Sequence, residues 1–165
     1  MPDHFTTYYH SPIDWLKVSG TETYITEVSF YDKSQKAEVR NKHLPAVLIH
    51  CVEQLIQYFH GELRQFELPI RQEGTKFQQE VWNQLLTIPF GKTISYLELA
   101  RQLGDPKAIR AAASANGKNN IAIIVPCHRV IGSGGDLVGY AGGLWRKKWL
   151  LAHEAKYAYG VQTLF

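Results

Sequence analysis

The run Ile123 Ile124 Val125 Pro126 Cys127 His128 Arg129 Val130 ends an apolar, β-rich segment in a cysteine preceded by proline and followed by histidine and arginine. Proline fixes the backbone just before the thiol. An adjacent imidazole and guanidinium favour the thiolate, which is the nucleophilic form. The chemistry such a cluster suits is attack by sulfur on an electrophilic carbon. Because free cysteine is also among the most buried residue types, the cluster alone fits a structural cysteine equally well. The other cysteine, Cys51, falls on what should be the apolar face of a helix over residues 46–56 and reads as core packing.

The elements around this cysteine are marked by helix caps. Thr75 with Gln78 three residues later is a capping box, with Phe77, Val81, Trp82 and Leu85 on one face of a helix that ends near Thr87, before Pro89 and Gly91. Ser95 with Glu98 is a second capping box, opening a short helix that Gly104 ends. Asp105 caps a third helix with Pro106 at its first position, continuing to Ala115, with Asn116 and Gly117 as a turn pair. Two short helices joined by a tight Gly-Asp connection suggest a helix-turn-helix. The second of them, rich in Ala108, Ala111, Ala112, Ala113, Ser114 and Ala115, has little side-chain bulk, and Arg110 is its one central cation. A strand is expected to lead to Cys127, and a last helix to begin near Leu144 with Glu154 at its end.

The first 70 residues read as a small α/β unit. Runs at 5–9, 15–19 and 24–30 are β-branched and aromatic and are separated by Ser11 Pro12 and by Gly20, predicting a strand meander. A helix from Pro45 follows, with Leu48, Cys51 or Val52, Leu55 and Phe59 at helical spacing and Gly61 as its stop. These patterns divide the chain into an N-terminal domain, 1–74, and a C-terminal domain, 75–165.

Composition restricts the function further. With 45% hydrophobic and 20% charged residues in 165, the chain has an ordinary globular balance. Charge is uneven: residues 1–74 hold 7 Lys/Arg against 10 Asp/Glu, and residues 75–165 hold 11 against 5, which places a polyanion on the second half. Two cysteines make no disulfide framework, residues 1–16 carry no leader pattern, and no stretch reaches the ~20 apolar residues of a membrane helix, so a cytoplasmic protein is expected, nuclear if eukaryotic. His4, His10, His43, His50 and His60 have no ligand-like spacing, so no metal site is expected. The absence of a glycine-rich turn between strand and helix argues against a nucleotide-like cofactor. A Cys-His hydrolase is disfavoured too, since such catalytic pairs are usually far apart in sequence whereas Cys127 and His128 are adjacent.

The string Pro126 Cys127 His128 Arg129 Val130, preceded by Arg110 Ala111 and Asn119 and followed by Gly139 Tyr140 Ala141 Gly142 Gly143, resembles the O6-alkylguanine-DNA alkyltransferases. The resemblance is strong over residues 75–154 and loose before. It implies a ribonuclease-H-like N-terminal domain with a small antiparallel sheet and a helix, followed by a mostly α domain with a helix-turn-helix. It implies a suicide repair reaction in which O6-alkylguanine, and O4-alkylthymine, is flipped out of duplex DNA and its alkyl group passes irreversibly to Cys127. Flipping is required because the target atom lies inside the duplex. His128 would activate the sulfur through a water, and Glu154 would orient His128. Asn119 would hold the active-site loop. Arg110 would fill the place of the extruded base and Tyr96 would push the flanking phosphate, with Ala111, Ala112 and Ser114 along the DNA. Val130, Arg129, Ala122, Tyr140, Ala141 and Gly142 would line the substrate pocket, the carbonyls of Cys127 and Val130 accepting from the guanine amine. No cofactor is implied. The partner is double-stranded DNA carrying O6-alkylguanine, bound by a monomer, with cooperative assembly on DNA left open. Ala122 stands where animal members have proline and Ala141 where serine is common, which implies a roomier pocket. A DNA-binding relative without transfer is the competing reading, and the presence of Cys127 argues for transfer.

Overall fold

In a computed structural model, the structure describes residues 3–32 and 43–160, which belong to two compact units, Met1–Gln72 and Glu73–Phe165. The boundary falls two residues before the one expected at 74/75. Gly74 already belongs with the second unit, where a side chain would meet the ring of Trp82 at 2.5 Å.

The first unit is an antiparallel meander, β1 (Phe5–Ser11), β2 (Asp14–Gly20) and β3 (Ile25–Phe30), covered by helix α1 (Ala46–Phe59). Alternation puts Leu16 and Val18 on the helix-facing side of the central strand. The register shifts at Ser19/Gly20, so the buried residues of β3, Ile25 and Val28, stand three apart. Gly20 has no substitute there, because a side chain would run into the Tyr24 carbonyl. Val47, Leu48, Cys51, Leu55, Tyr58 and Phe59 form the buried stripe of α1, so Cys51 is core, its thiol pushed by burial up to about 12. Ile25 also bridges to Ile70 in parallel, through hydrogen bonds to Pro69 and Arg71.

The second unit is mostly helical. Helix α2 (Lys76–Leu85) begins with both hydrogen bonds of the capping box, Thr75 Oγ1 accepting from Gln78 N–H at 3.1 Å and Gln78 Oε1 from Thr75 N–H at 2.9 Å. The box at Ser95 is half formed: its hydroxyl accepts from Glu98 N–H at 3.0 Å, while the Glu98 carboxylate accepts from Gln102. Strand β4 (Ile94–Ser95) runs straight into α3 (Tyr96–Gln102). Asp105 then caps a 3-10 turn, Pro106–Ala108, before α4 (Ile109–Gly117). Asn116 and Gly117, expected as a turn, are the last residues of α4, which packs on α2 and α3 and takes the Trp82 indole N–H on the Ala115 carbonyl at 2.9 Å. After the 3-10 turn Cys127–Arg129, strand β5 (Val130–Ile131) pairs in parallel with β4, and α5 (Leu144–Tyr159) closes the unit. Among the described residues no helix is long and apolar enough to cross a membrane.

Candidate active site

Cys127 is presented by a chain of tight turns, not by the expected strand. Asn119 uses its whole side chain on the segment: Oδ1 accepts from Ile121 N–H at 3.1 Å, and Nδ2 donates to Ile121 O at 3.3 Å and Val125 O at 2.8 Å. With Val125 N–H also bonded to Ile121 O, the groups a strand would use are spent inside the turn. Ile123 sits at φ 71°, a left-handed conformation that is an outlier for a β-branched residue and persists only where the surroundings impose it. Pro126, at φ −82° and ψ 64°, makes an inverse γ-turn that sends Cys127 N–H back to Val125 O at 2.8 Å. The pairing Ile94↔Val130 then holds this turn beside the start of α3, where Tyr96 stands.

His128, Arg129 and Glu154 form a buried network next to the cysteine in the chain. Glu154 lies inside α5, which continues to Tyr159, so it is not the helix-terminal residue that the sequence suggested. Its Oε2 takes His128 Nε2 at 2.7 Å and Arg129 Nη2 at 3.0 Å, and its Oε1 takes Arg129 Nε at 2.8 Å and Gly91 N–H at 3.2 Å. Burial raises the Glu154 carboxyl, but His128 and Arg129 outweigh it and hold the group well below the ordinary carboxylate range. Burial, helped by the Arg129 and Lys147 charges and opposed by Glu154, holds His128 below its ordinary value. The imidazole is therefore neutral near pH 7, and the contact is an N–H donated to a carboxylate. That fixes the tautomer: Nε2 carries the proton and Nδ1 keeps its lone pair, with no hydrogen-bond partner among the described residues.

Cys127 as a residue is 8% exposed. Burial holds it above the ordinary thiol range, while the Asn119 amide, the Lys147 charge and its own backbone pull it down. The Tyr140 hydroxyl is raised well above its usual value by burial first and by Cys127 next, and Tyr96 is raised by the same two causes, so both phenols stay protonated beside the sulfur. The Tyr96 hydroxyl donates to Val138 O at 3.2 Å. The arrangement is a covered thiol, a base with a free lone pair, an orienting carboxylate and two proton-bearing phenols, which suits sulfur attack with protonation of a leaving group.

The family model described as the ribonuclease-like domain of 6-O-methylguanine DNA methyltransferase matches residues 5–72, and that described as its DNA binding domain matches residues 76–156. A Mycobacterium bovis methylated-DNA–protein-cysteine methyltransferase is 46% identical over 165 residues, 98% of each chain. The chain belongs to the 6-O-methylguanine DNA methyltransferase family. The solved Mycobacterium tuberculosis O6-methylguanine methyltransferase superposes with a TM-score of 0.83 at 43% identity over 94% of each chain, and the OGT of that organism in complex with DNA with 0.81 at 44% over 93% of each.

Within this methyltransferase-family chain the structure brings Cys127, His128, Glu154, Asn119, Tyr96 and Tyr140 into one neighbourhood. Val130 is buried in the strand after the cysteine, Ala122 in the turn before it, and Gly142 ahead of α5, whereas Ala141 is exposed. Four expectations are corrected. The Arg129 guanidinium, expected at the pocket and beside the thiol, is instead committed to Glu154 and, through Nη1 at 2.7 Å, to Ile88 O. Ala112 is fully buried, because helical period turns 112, 115 and 116 toward α2 and α3 and leaves Arg110, Ala111 and Ser114 on the open face. The Cys127 carbonyl, expected to accept from guanine, already accepts from Asn116 Nδ2 at 3.3 Å and from Val130 N–H. The strand into Cys127 is a turn. Two residues were missed: Asn116, which reaches the cysteine carbonyl from α4, and Lys147, fully buried on α5. The small-residue stripe gave a signal for Asn116, since it is one turn past Ala112. Nothing in Arg146 Lys147 Lys148 distinguishes a buried lysine from a solvated face.

Proposed function

We propose that this protein reverses alkylation damage in DNA directly, moving the alkyl group from O6 of guanine, and from O4 of thymine, to Cys127. The observation that carries this reading is the buried Cys127, followed directly in the chain by His128 of the His128–Glu154 pair, in a chain 46% identical over 98% of its length to a methylated-DNA–protein-cysteine methyltransferase.

In the proposed reaction DNA binds to residues 75–165, and the damaged nucleotide is extruded from double-stranded DNA at a cost of a few kcal/mol. Arg110, exposed on α4 and without a hydrogen-bond or ion-pair partner among the described residues, fills the vacated place in the base stack, while Ala111 and Ser114 let the backbone close on the groove. Tyr96 displaces the flanking phosphate. The thiol proton passes through a bridging water to His128 Nδ1, Glu154 stabilises the imidazolium, and sulfur attacks the alkyl carbon as the carbon–oxygen bond breaks. Tyr140 donates to the departing guanine, which leaves neutral, with the His128 proton replacing the one supplied. The product is a thioether on Cys127, a poor leaving group, so each chain reacts once. The protein acts as a monomer in the cytoplasm.

The test is intact mass after exposure to duplex DNA containing O6-methylguanine. One added methyl group per chain, located on Cys127, is the expected result. Repeated turnover by one molecule, or undiminished transfer by Cys127→Ser, contradicts the reading; DNA binding without mass gain favours a binding module.

A further inference from the structure

Among the described residues the second unit buries two Lys/Arg side chains, Arg129 and Lys147, and only the first has a carboxylate. Lys147 is fully buried, yet among the described residues its partners are all neutral: Nζ donates to Val138 O at 2.8 Å and Gly139 O at 3.2 Å, and lies 5.7 Å from the centre of the Tyr96 ring. A buried ammonium without an anion is costly, and such groups are normally found paired. The Ile94↔Val130 pairing sets Tyr96, and with it the Lys147 ammonium over its ring, beside the cysteine turn, and Cys127 is the acidic group there on which this charge acts. The carbonyls it holds belong to the loop 132–143, which connects β5 to α5, and Val138 O also takes the Tyr96 hydroxyl.

We propose that Lys147 is a positioning residue that serves as counter-ion to the Cys127 thiolate while pinning the loop 132–143 by two of its carbonyls, so that seating the loop and ionising the thiol are linked. With Lys147 in place, a thiolate makes the buried site neutral instead of adding an isolated charge. If the loop lifts, the ammonium loses its acceptors and its position. A loop closed over a base thereby favours the nucleophile where it is needed. Burial pushes Lys147 down to about 8, and the Cys127 charge pulls it up, as expected for two groups that titrate against each other. The other titratable or charged groups facing the pair are Tyr96 from α3, His128 and Arg129 from the cysteine turn, Tyr140 from the loop, and Arg146 and Glu154 from α5. Arg129 and Glu154 compensate each other, the phenols remain protonated, and Arg146, only half-buried, acts on Tyr140, which leaves Lys147 as the fully buried charge without a carboxylate.

The inference rests on Cys127 being the nucleophile, and its test needs no repair reaction. Wild type, Lys147→Met and Lys147→Arg are treated with iodoacetamide across pH, reading Cys127 alone by peptide mass spectrometry, with hydrogen exchange of amides 138–141 in parallel. Lys147→Met is expected to raise the thiol midpoint by about one pH unit, a roughly tenfold loss of rate near neutrality, and to speed loop exchange. Lys147→Arg is expected to keep the midpoint near wild type. A purely structural lysine would alter exchange but leave the midpoint in place, and that result overturns the proposal. Should Lys147→Met fail to fold, the titration of Lys147 Nζ followed by NMR decides: it is expected to fall in Cys127→Ser, and an unchanged midpoint there rejects the pairing. Loss of transfer from DNA with these titrations intact would instead strike only the functional reading.

Discussion

Arg129 and Glu154 form a two-point pair, Nε to Oε1 at 2.8 Å and Nη2 to Oε2 at 3.0 Å, and the same Oε2 receives His128 at 2.7 Å. One carboxylate thus joins a structural pair to the imidazole that, in the proposed reaction, takes the thiol proton. His128 and Arg129 together keep the carboxylate ionised, so in the proposed reaction the proton rests on imidazole.

Glu154→Gln is therefore expected to act twice. It leaves Arg129 buried without its anion, which costs about 3–5 kcal/mol for a broken buried pair. It also removes the fixed acceptor of His128, slowing transfer from duplex DNA and from free O6-benzylguanine by comparable factors. Urea unfolding and single-turnover rates on both substrates check this; a stable protein with unaltered rates refutes it.

Acid should destabilise the protein in two stages with the same sign. His128 is held neutral in the fold, so the unfolded chain takes its proton first and stability falls as pH drops below about 6.5. Glu154 is held ionised, so its contribution is present above the unfolded value of about 4.3 and is lost as pH falls below it. Urea midpoints between pH 7 and pH 3 should decline throughout, and Glu154→Gln should flatten the lower stage. A midpoint independent of pH would contradict both assignments.

Arg110→Ala distinguishes extrusion from chemistry. If the guanidinium replaces the flipped base, duplex repair should slow far more than reaction with free O6-benzylguanine, which requires no flipping. Affinity for DNA should weaken modestly and its salt dependence should persist, because other cations still neutralise phosphates. Equal depression of the two rates would make Arg110 a phosphate contact or a structural residue.

Gly91→Ala should be disruptive despite its distance in sequence from the cysteine. Gly91 is at φ 81°, a side chain there would stand 2.6 Å from Ala158 Cβ, and its N–H is one of the donors to Glu154. The expected loss is about 1–3 kcal/mol from backbone strain alone, with slower transfer because Glu154 shifts. Thermal melts and single-turnover rates measure both, and a variant matching wild type on each would show that the α5 contact yields freely.

Local rules were legible where one residue type has one physical use. Thr75 and Gln78 gave a helix start correct to both hydrogen bonds, and the spacing from Leu48 to Phe59 gave the buried face of α1. Sequence reasoning failed where a side chain competed with the backbone. The apolar run 121–125 has strand composition, yet Asn119, two residues before it, takes up its carbonyls and bends it into turns. Arg129 illustrates a second kind of failure. Two residues after Cys127 in sequence, it points to Glu154, because a 3-10 turn spreads successive side chains around its axis. Lys147 is a third: only the assembled loop reveals that this lysine, among three successive cations, faces inward.

The covered state of Cys127 bears on how long the protein lasts between lesions. An acceptor that reacts once is spent by any electrophile or oxidant that finds it, and oxidants select thiolates that are exposed and ionised. At 8% exposure, with burial favouring the protonated sulfur, the resting site presents neither property. Burial thus acts as a shelf-life device: the sulfur that must be most reactive toward one bound carbon is kept least reactive toward everything dissolved around it.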